Sequence, residues 1–186
     1  MCYTAHMNKG LLLHVCCAHC AAYTVNYWRS QGYSVTGFWY NPNIHPYQEH
    51  QKRLKAVQTL SQKIDFPLVI VSGYDVVSYF RLVSGDEDKR CRHCFELRLG
   101  KTANTAREMG MASFSSTLLI SPTQRHDILR QTGEAAGLSA GTEFIYADLR
   151  KRYSDSRQLT KPLEIYRQQY CGCLYSEWER YSSDNT

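Results

Sequence analysis

The chain has 186 residues, 43% of them hydrophobic and 21% charged, and a net charge of +5. That length can bury a core as one domain, and no apolar run is long enough to span a bilayer. Residues 1–10 are polar and Leu11–Val15 is too short for the apolar part of a secretory leader, so a cytoplasmic protein with no membrane partner is expected.

In chain order, short β-rich runs alternate with helical stretches. Leu11–Cys16 reads as a buried strand and Ala21–Gln31 as a helix closed by Gly32. Val35–Tyr40 reads as a second strand. His45–Ile64 carries Leu54, Val57, Leu60 and Ile64 at helical spacing, and Leu68–Val71 is a third strand. A helix over Asp75–Val83, a polar loop Ser84–Arg90 and a long helix over Cys91–Met109 follow. Strand Ala112–Thr117, helix Pro122–Ala136 and a short strand Glu143–Tyr146 complete the pattern. Strands alternating with helices of this length predict an α/β fold, a single parallel sheet flanked by helices with right-handed crossovers. One domain over 1–186 is expected, with 1–9 and 177–186 as flexible ends.

Seven of the eight cysteines form three clusters about 75 residues apart: Cys16, Cys17 and Cys20; Cys91 and Cys94; Cys171 and Cys173. Several thiolates from distant segments are what a metal or cluster site needs, because one short loop rarely surrounds an ion without strain. Disulfide-dense chains are usually secreted and shorter, so a disulfide framework is disfavoured. Cys2 stands apart and is given no function. In open α/β sheets, sites form beyond the carboxyl ends of the strands, where Cys16 and Cys17 end the first one. Cys91 and Cys94 open a helix, whose free N–H groups and dipole favour thiolates. Gly172 permits a tight turn that brings Cys171 and Cys173 to one side, and the C-terminal segment is expected to fold back over the sheet edge. A structural zinc uses four ligands and leaves three sulfurs over, which an iron–sulfur cluster with further ligands or a redox pair would use better; spacing alone leaves zinc, iron–sulfur and dithiol readings open.

The strings LLLHVCCAHC (11–20), GFWYNPNIHPYQEH (37–50), RCRHCFELRL (90–99), STLLISPTQRH (116–126), DLRKRYSDS (148–156) and IYRQQYCGCLYS (165–176) resemble, in order, the QueH family of cobalamin-independent epoxyqueuosine reductases. The resemblance implies reductive removal of the epoxide oxygen of epoxyqueuosine at the wobble position of tRNA, leaving queuosine. It also implies a 4Fe-4S cluster, an adjacent metal site, and a HUP-like (Rossmann-like) fold. Carried over by position, Cys16, Cys17, Cys91 and Cys94 match the cluster ligands and Cys171 and Cys173 a redox-active pair. The same pair could instead complete the cluster, leaving Cys16, Cys17 and Cys20 for a separate iron. A carboxylate can stand in the family where this chain has Cys20, and His19 stands where a proline is expected.

Epoxide-to-alkene conversion takes two electrons and two protons. No GxGxxG follows a strand, so neither flavin nor nicotinamide is expected and electrons must come from an external donor. Asp148, just after the last predicted strand, is the candidate proton donor, with Tyr40, His14 and His45 as alternatives; His14 inside a strand is equally read as a hydrogen-bonded core residue. Tyr40, Asn41 and Asn43 around Pro42, and Thr117, Ser121 and Gln124 after the fourth strand, are candidate substrate contacts; Ser121 also suits a helix cap. The 14 tyrosines and 3 tryptophans lie among Arg and Lys, a mixture that suits stacking on bases and contact with phosphates. Arg150, Lys151, Arg152, Arg167, Arg98 and Lys101 are the candidate tRNA contacts. Two other classes compete. A zinc-stabilised RNA-binding module would leave Cys16, Cys17 and Cys20 replaceable. An ATP-dependent RNA-modifying enzyme would need a glycine-rich phosphate loop after the first strand, where no glycine stands.

Overall fold

A computed structural model of the chain describes residues 9–182. Five strands, β1 (Lys9–His14), β2 (Tyr33–Trp39), β3 (Leu68–Ile70), β4 (Ser113–Ser116) and β5 (Glu143–Phe144), form one sheet in the order β3-β2-β1-β4-β5. Every neighbouring pair is parallel, so each connection must cross over, and helices cover both faces. The helices are α1 (Ala18–Ser30), α2 (Tyr47–Lys63), α3 (Val76–Val83), α4 (Arg90–Glu108), α5 (His126–Ala140), α6 (Tyr153–Thr160) and α7 (Leu174–Ser182). The α/β fold read from the sequence is therefore the one observed.

The central strand shows why. Leu11, Leu12 and Leu13 are all fully buried, because successive side chains point to opposite faces and both faces are covered. Leu11 and Leu13 pack with Val25, Trp28, Val57 and Leu60 on one side. Leu12 packs with Phe38, Leu99, Phe114 and Leu129 on the other. Full burial of a leucine contributes about 1.5–3 kcal/mol relative to exposure, so this triplet anchors both layers.

The chain runs from β1 to β3 in one direction and then returns to place β4 on the other side of β1. Such a reversal opens a crevice at the carboxyl ends of β1 and β4. Cys16 follows β1 and Thr117 follows β4, so both lie at its mouth.

Several boundaries differ from expectation. α1 begins at Ala18, not Ala21, because the Cys17 sulfur caps it by accepting from the Cys20 amide at 3.3 Å. α5 begins at His126, not Pro122; residues 121–125 form a turn, Arg125 occupies the cap position, and Ser121 pairs with the Thr123 hydroxyl at 3.0 Å rather than capping a helix. β5 is two residues long, with the Ile145 amide adding one bond to Phe114 O at 2.9 Å. Residues 177–182 belong to α7, which corrects a wholly flexible 177–186, and Lys9 pairs with Tyr33 in the sheet. Residues 1–8, with Cys2, and 183–186 lie outside the described residues.

The C-terminal segment does not fold over a sheet edge. It passes over the loops that follow the inner strands β1 and β2: the Gln168 amide donates to Cys17 Sγ, and the His45 amide donates to Gly172 O at 2.8 Å.

Candidate metal centre at the carboxyl ends of the strands

Seven thiols converge here, all unpaired, and they converge as two groups. The first is Cys16, Cys17 and Cys20, buried, with sulfurs all within 4.8 Å of one another. The turn from β1 into α1 produces this cluster: Cys17 is held as the cap, and Cys20 lies one turn on. Thr117 reaches across from β4, accepting from the Cys16 amide at 3.1 Å and donating to the Cys16 sulfur at 3.3 Å. Gln168 Nε2 lies 2.9 Å from the Cys17 sulfur. Donation from Cys17 and Cys20 holds Cys16 well below the usual thiol range. Burial and the same sharing push Cys17 up, and hydrogen bonding to Cys16 and Cys17 pushes Cys20 up. The three sulfurs share hydrogen bonds that favour charge on Cys16, and a bound cation would displace their protons.

The second group is Cys91 and Cys94, in the first turns of α4, with Cys171 and Cys173 in the loop before α7. Cys94 and Cys173 pack around Tyr79. Burial raises Cys94 to about 12, with Cys171, Cys173 and Cys91 adding to the rise. Cys91 is also raised, by burial first and then by Cys171. Burial outweighs the helix dipole that the sequence suggested would lower both. Cys171 and Cys173 are close enough to Cys91 and Cys94 to act on both electrostatically. Gln124 Nε2 donates to the Cys171 sulfur at 3.3 Å.

The loop carrying Cys171 is strapped to α2. Arg53, 2% exposed, is ion-paired through Nε to Glu49 at 2.7 Å, and its two remaining nitrogens donate to Cys171 O at 2.8 Å and Tyr170 O at 3.0 Å. The Tyr166 hydroxyl donates to Glu49, and the Tyr170 hydroxyl to His45 O. Gly172 has φ +153°, and an added Cβ would stand 3.2 Å from Asn43 Nδ2 and from Ile44 Cγ1. Sequence reasoning missed Glu49 and Arg53, whose only local signal is an i,i+4 charge pair of the kind usually found on a solvated face.

The remaining candidates separate. Thr117, Gln124 and buried Asn43 lie at the thiols or their supporting loop. Asn41 holds His14, whose Nε2–H donates to Asn41 Oδ1 at 3.2 Å while its Nδ1 accepts from Ser116 at 3.0 Å. Burial, then Arg98, lowers His14 to about 4, so it is a neutral core residue. His45 is lowered to about 4 by burial. Asp148 is paired to Arg150 at 2.8 and 2.5 Å, and those hydrogen bonds hold its carboxyl far below the usual range. That pairing favours the ionised carboxylate, which does not suit the role of proton donor expected of Asp148. Arg150 is therefore already partnered, as is Arg152 by Asp155 at 3.2 Å. Arg98 is buried, not on a tRNA-facing surface. Tyr40 and Asn41 line a cavity of about 280 Å³ with Tyr74, Asp75 and Lys101.

The comparisons with known proteins bear on this geometry. The family profile described as epoxyqueuosine reductase QueH matches residues 11–179. The chain belongs to the QueH family. An epoxyqueuosine reductase QueH of Dehalococcoides mccartyi is 54% identical over 97% of this chain and 99% of its own length. That of Thermotoga maritima is 34% identical over 91% of each. QueH members are oxidoreductases of queuosine biosynthesis, and the buried thiols suit that chemistry. Among solved structures, a predicted subunit of tRNA methyltransferase from Methanocaldococcus jannaschii aligns over 82% of this chain and 76% of its own, with TM-score 0.52 and 10% identity, which speaks to the fold alone. No helix among the described residues is long and apolar enough to cross a membrane.

The donor set fits the group the QueH family implies. Cys91 and Cys94 from one segment and Cys171 and Cys173 from another act on one another, and the buried Tyr79 hydroxyl lies beside Cys94 and Cys173 as a donor toward sulfur. Soft sulfur ligands with a nearby hydrogen-bond donor suit an iron–sulfur group.

Proposed function

We propose that this chain reduces the epoxide of epoxyqueuosine in tRNA, with Cys91, Cys94, Cys171 and Cys173 holding a 4Fe-4S cluster and Cys16, Cys17 and Cys20 an adjacent iron. The observation that carries this reading is the buried group of Cys16, Cys17 and Cys20 at the mouth of the crevice, with Cys91, Cys94, Cys171 and Cys173 acting electrostatically on one another. When bound, the cluster supplies single electrons and the iron an electrophilic position for the epoxide oxygen. In the reaction both carbon–oxygen bonds of the epoxide break, the alkene forms, and two electrons and two protons carry the oxygen away as water.

The chain's own residues divide the remaining work. Thr117, Gln168 and Gln124 donate to sulfurs of both groups and orient them. The loop over 166–173 brings Gln168 to the Cys17 sulfur and carries Cys171 and Cys173. Tyr153 is half-buried, with its hydroxyl raised by burial and by Cys20 and Cys17; it keeps its proton at neutral pH and is the acid we assign. Arg157 and Arg167 both depress His19, to about 4 after burial, which puts two cations beside the first thiol group for tRNA phosphates. Electrons come from an external donor, and a tRNA substrate places the work in the cytoplasm.

The competing reading, a zinc-stabilised RNA-binding module, accounts for four thiols and leaves Cys16, Cys17 and Cys20 without a role. Anaerobic purification with iron and sulfide analysis decides between them. We expect about five irons and about four sulfides per chain. Cys17→Ser should remove iron and keep the sulfide, while Cys94→Ser should remove sulfide. Colourless protein with one zinc would overturn the proposal.

A further inference from the structure

Arg98 is a buried cation without a carboxylate partner among the described residues. It is 2% exposed, in mid-α4, one turn beyond Cys94. Its Nε donates to Cys94 O at 3.1 Å, and the Phe95 ring lies 5.8 Å from its guanidinium carbon. Its Nη2 is buried with no hydrogen-bond partner. No carboxylate pairs with it among the described residues, in contrast to buried Arg53 with Glu49. Its electrostatic neighbours are Cys94, Cys171 and Cys16.

A buried guanidinium without a carboxylate partner is strongly unfavourable unless other negative charge lies near it. Thiolates bound to a metal centre supply it: four thiolates carry more negative charge than a cluster core carries positive. Arg98 is held at Cys94 O with its Nη2 still to give, within the electrostatic reach of Cys171 and Cys16. We propose that Arg98 is a positioning residue that sets the reduction potential of the centre held by Cys91, Cys94, Cys171 and Cys173. This rests on the reading of that group as a redox centre. A fixed positive charge favours the reduced state, which carries one more electron, so Arg98 raises the potential and lets a weaker external donor load the site.

The test is an anaerobic redox titration followed by electron paramagnetic resonance, on full-length wild type, Arg98→Lys and Arg98→Met, each with iron and sulfide analysis. The Met variant should need at least tenfold more reducing conditions for half-reduction, a shift of about 59 mV for one electron; the Lys variant should fall between it and wild type. Unchanged midpoints at full iron content would overturn the inference and leave Arg98 a brace for α4. If Met fails to hold the cluster, Arg98→Gln takes its place against Lys, and equal midpoints for those two likewise overturn it. A wild type without iron or sulfide would instead sink the reading of the site itself.

Discussion

Arg53 donates to the carbonyl oxygen of Cys171 at 2.8 Å, from a helix 118 positions away in sequence. The same guanidinium is fixed by Glu49, so the position of a proposed ligand loop depends on a buried ion pair in α2.

Breaking that pair on one side strands the other charge. Arg53→Met should cost about 3–5 kcal/mol of unfolding free energy in metal-free protein. Glu49→Gln should cost less, because the amide oxygen still accepts from Arg53 Nε and the amide NH2 can donate to the Tyr166 hydroxyl oxygen. Urea denaturation measures both, and an Arg53→Met loss below about 1 kcal/mol would mean the strap is not held this way.

Gly172 sits where a side chain is excluded twice over, by φ +153° and by contacts at 3.2 Å to Asn43 and Ile44. Gly172→Ala should keep the fold and displace Cys171 and Cys173, so that iron is lost to a chelator several-fold faster than in wild type. Gly100 has nothing within 4 Å of an added Cβ, and Gly100→Ala, as the control, should retain iron at the wild-type rate.

His14 gives stability a pH dependence. Its ordinary value is 6.5 and burial lowers it to about 4 in the folded protein, so the unfolded chain binds the proton first on acidification. The contribution is fully present above pH 6.5 and is lost as pH falls toward 4, amounting to about 2 kcal/mol at pH 5. Denaturation of metal-free protein at pH 7.5 and 5.0 should show this decline. His14→Gln should show a smaller one, at a lower starting stability.

Arg157 and Arg167 flank the first thiol group at His19. Replacing both by Ala should weaken tRNA binding and reduce the dependence of log Kd on log salt by about 1–2. Replacing Arg130, which is engaged by Glu134 at 2.7 Å on α5, should leave that slope within error.

Much of the fold was legible in local pattern. The apolar run at Leu11–Val15 and the spacing of Leu54, Val57 and Leu60 are consequences of periodicity, and each became the element it suggested. Boundaries shifted where a side chain acts as backbone partner: Cys17 caps α1, which no general preference for capping residues would suggest. The site was legible in residue type, and less so in role. Asp148 looked available in sequence, but Arg150 two residues on neutralises it. Arg98 looked like a surface cation, and its helix face turned inward.

The sequence by itself determined the α/β alternation, the family and the seven thiols, because periodicity and motif are properties of short segments. Only the tertiary structure decided which thiols lie near one another. Spacing along the chain says that Cys91 is about as far from Cys16 as from Cys171. The order β3-β2-β1-β4-β5 and the strap across α2 are what bring Cys171 and Cys173 to the start of α4, and leave Cys16, Cys17 and Cys20 together at the end of β1. Strand order is a property of how whole layers bury their apolar faces, and no local segment encodes it.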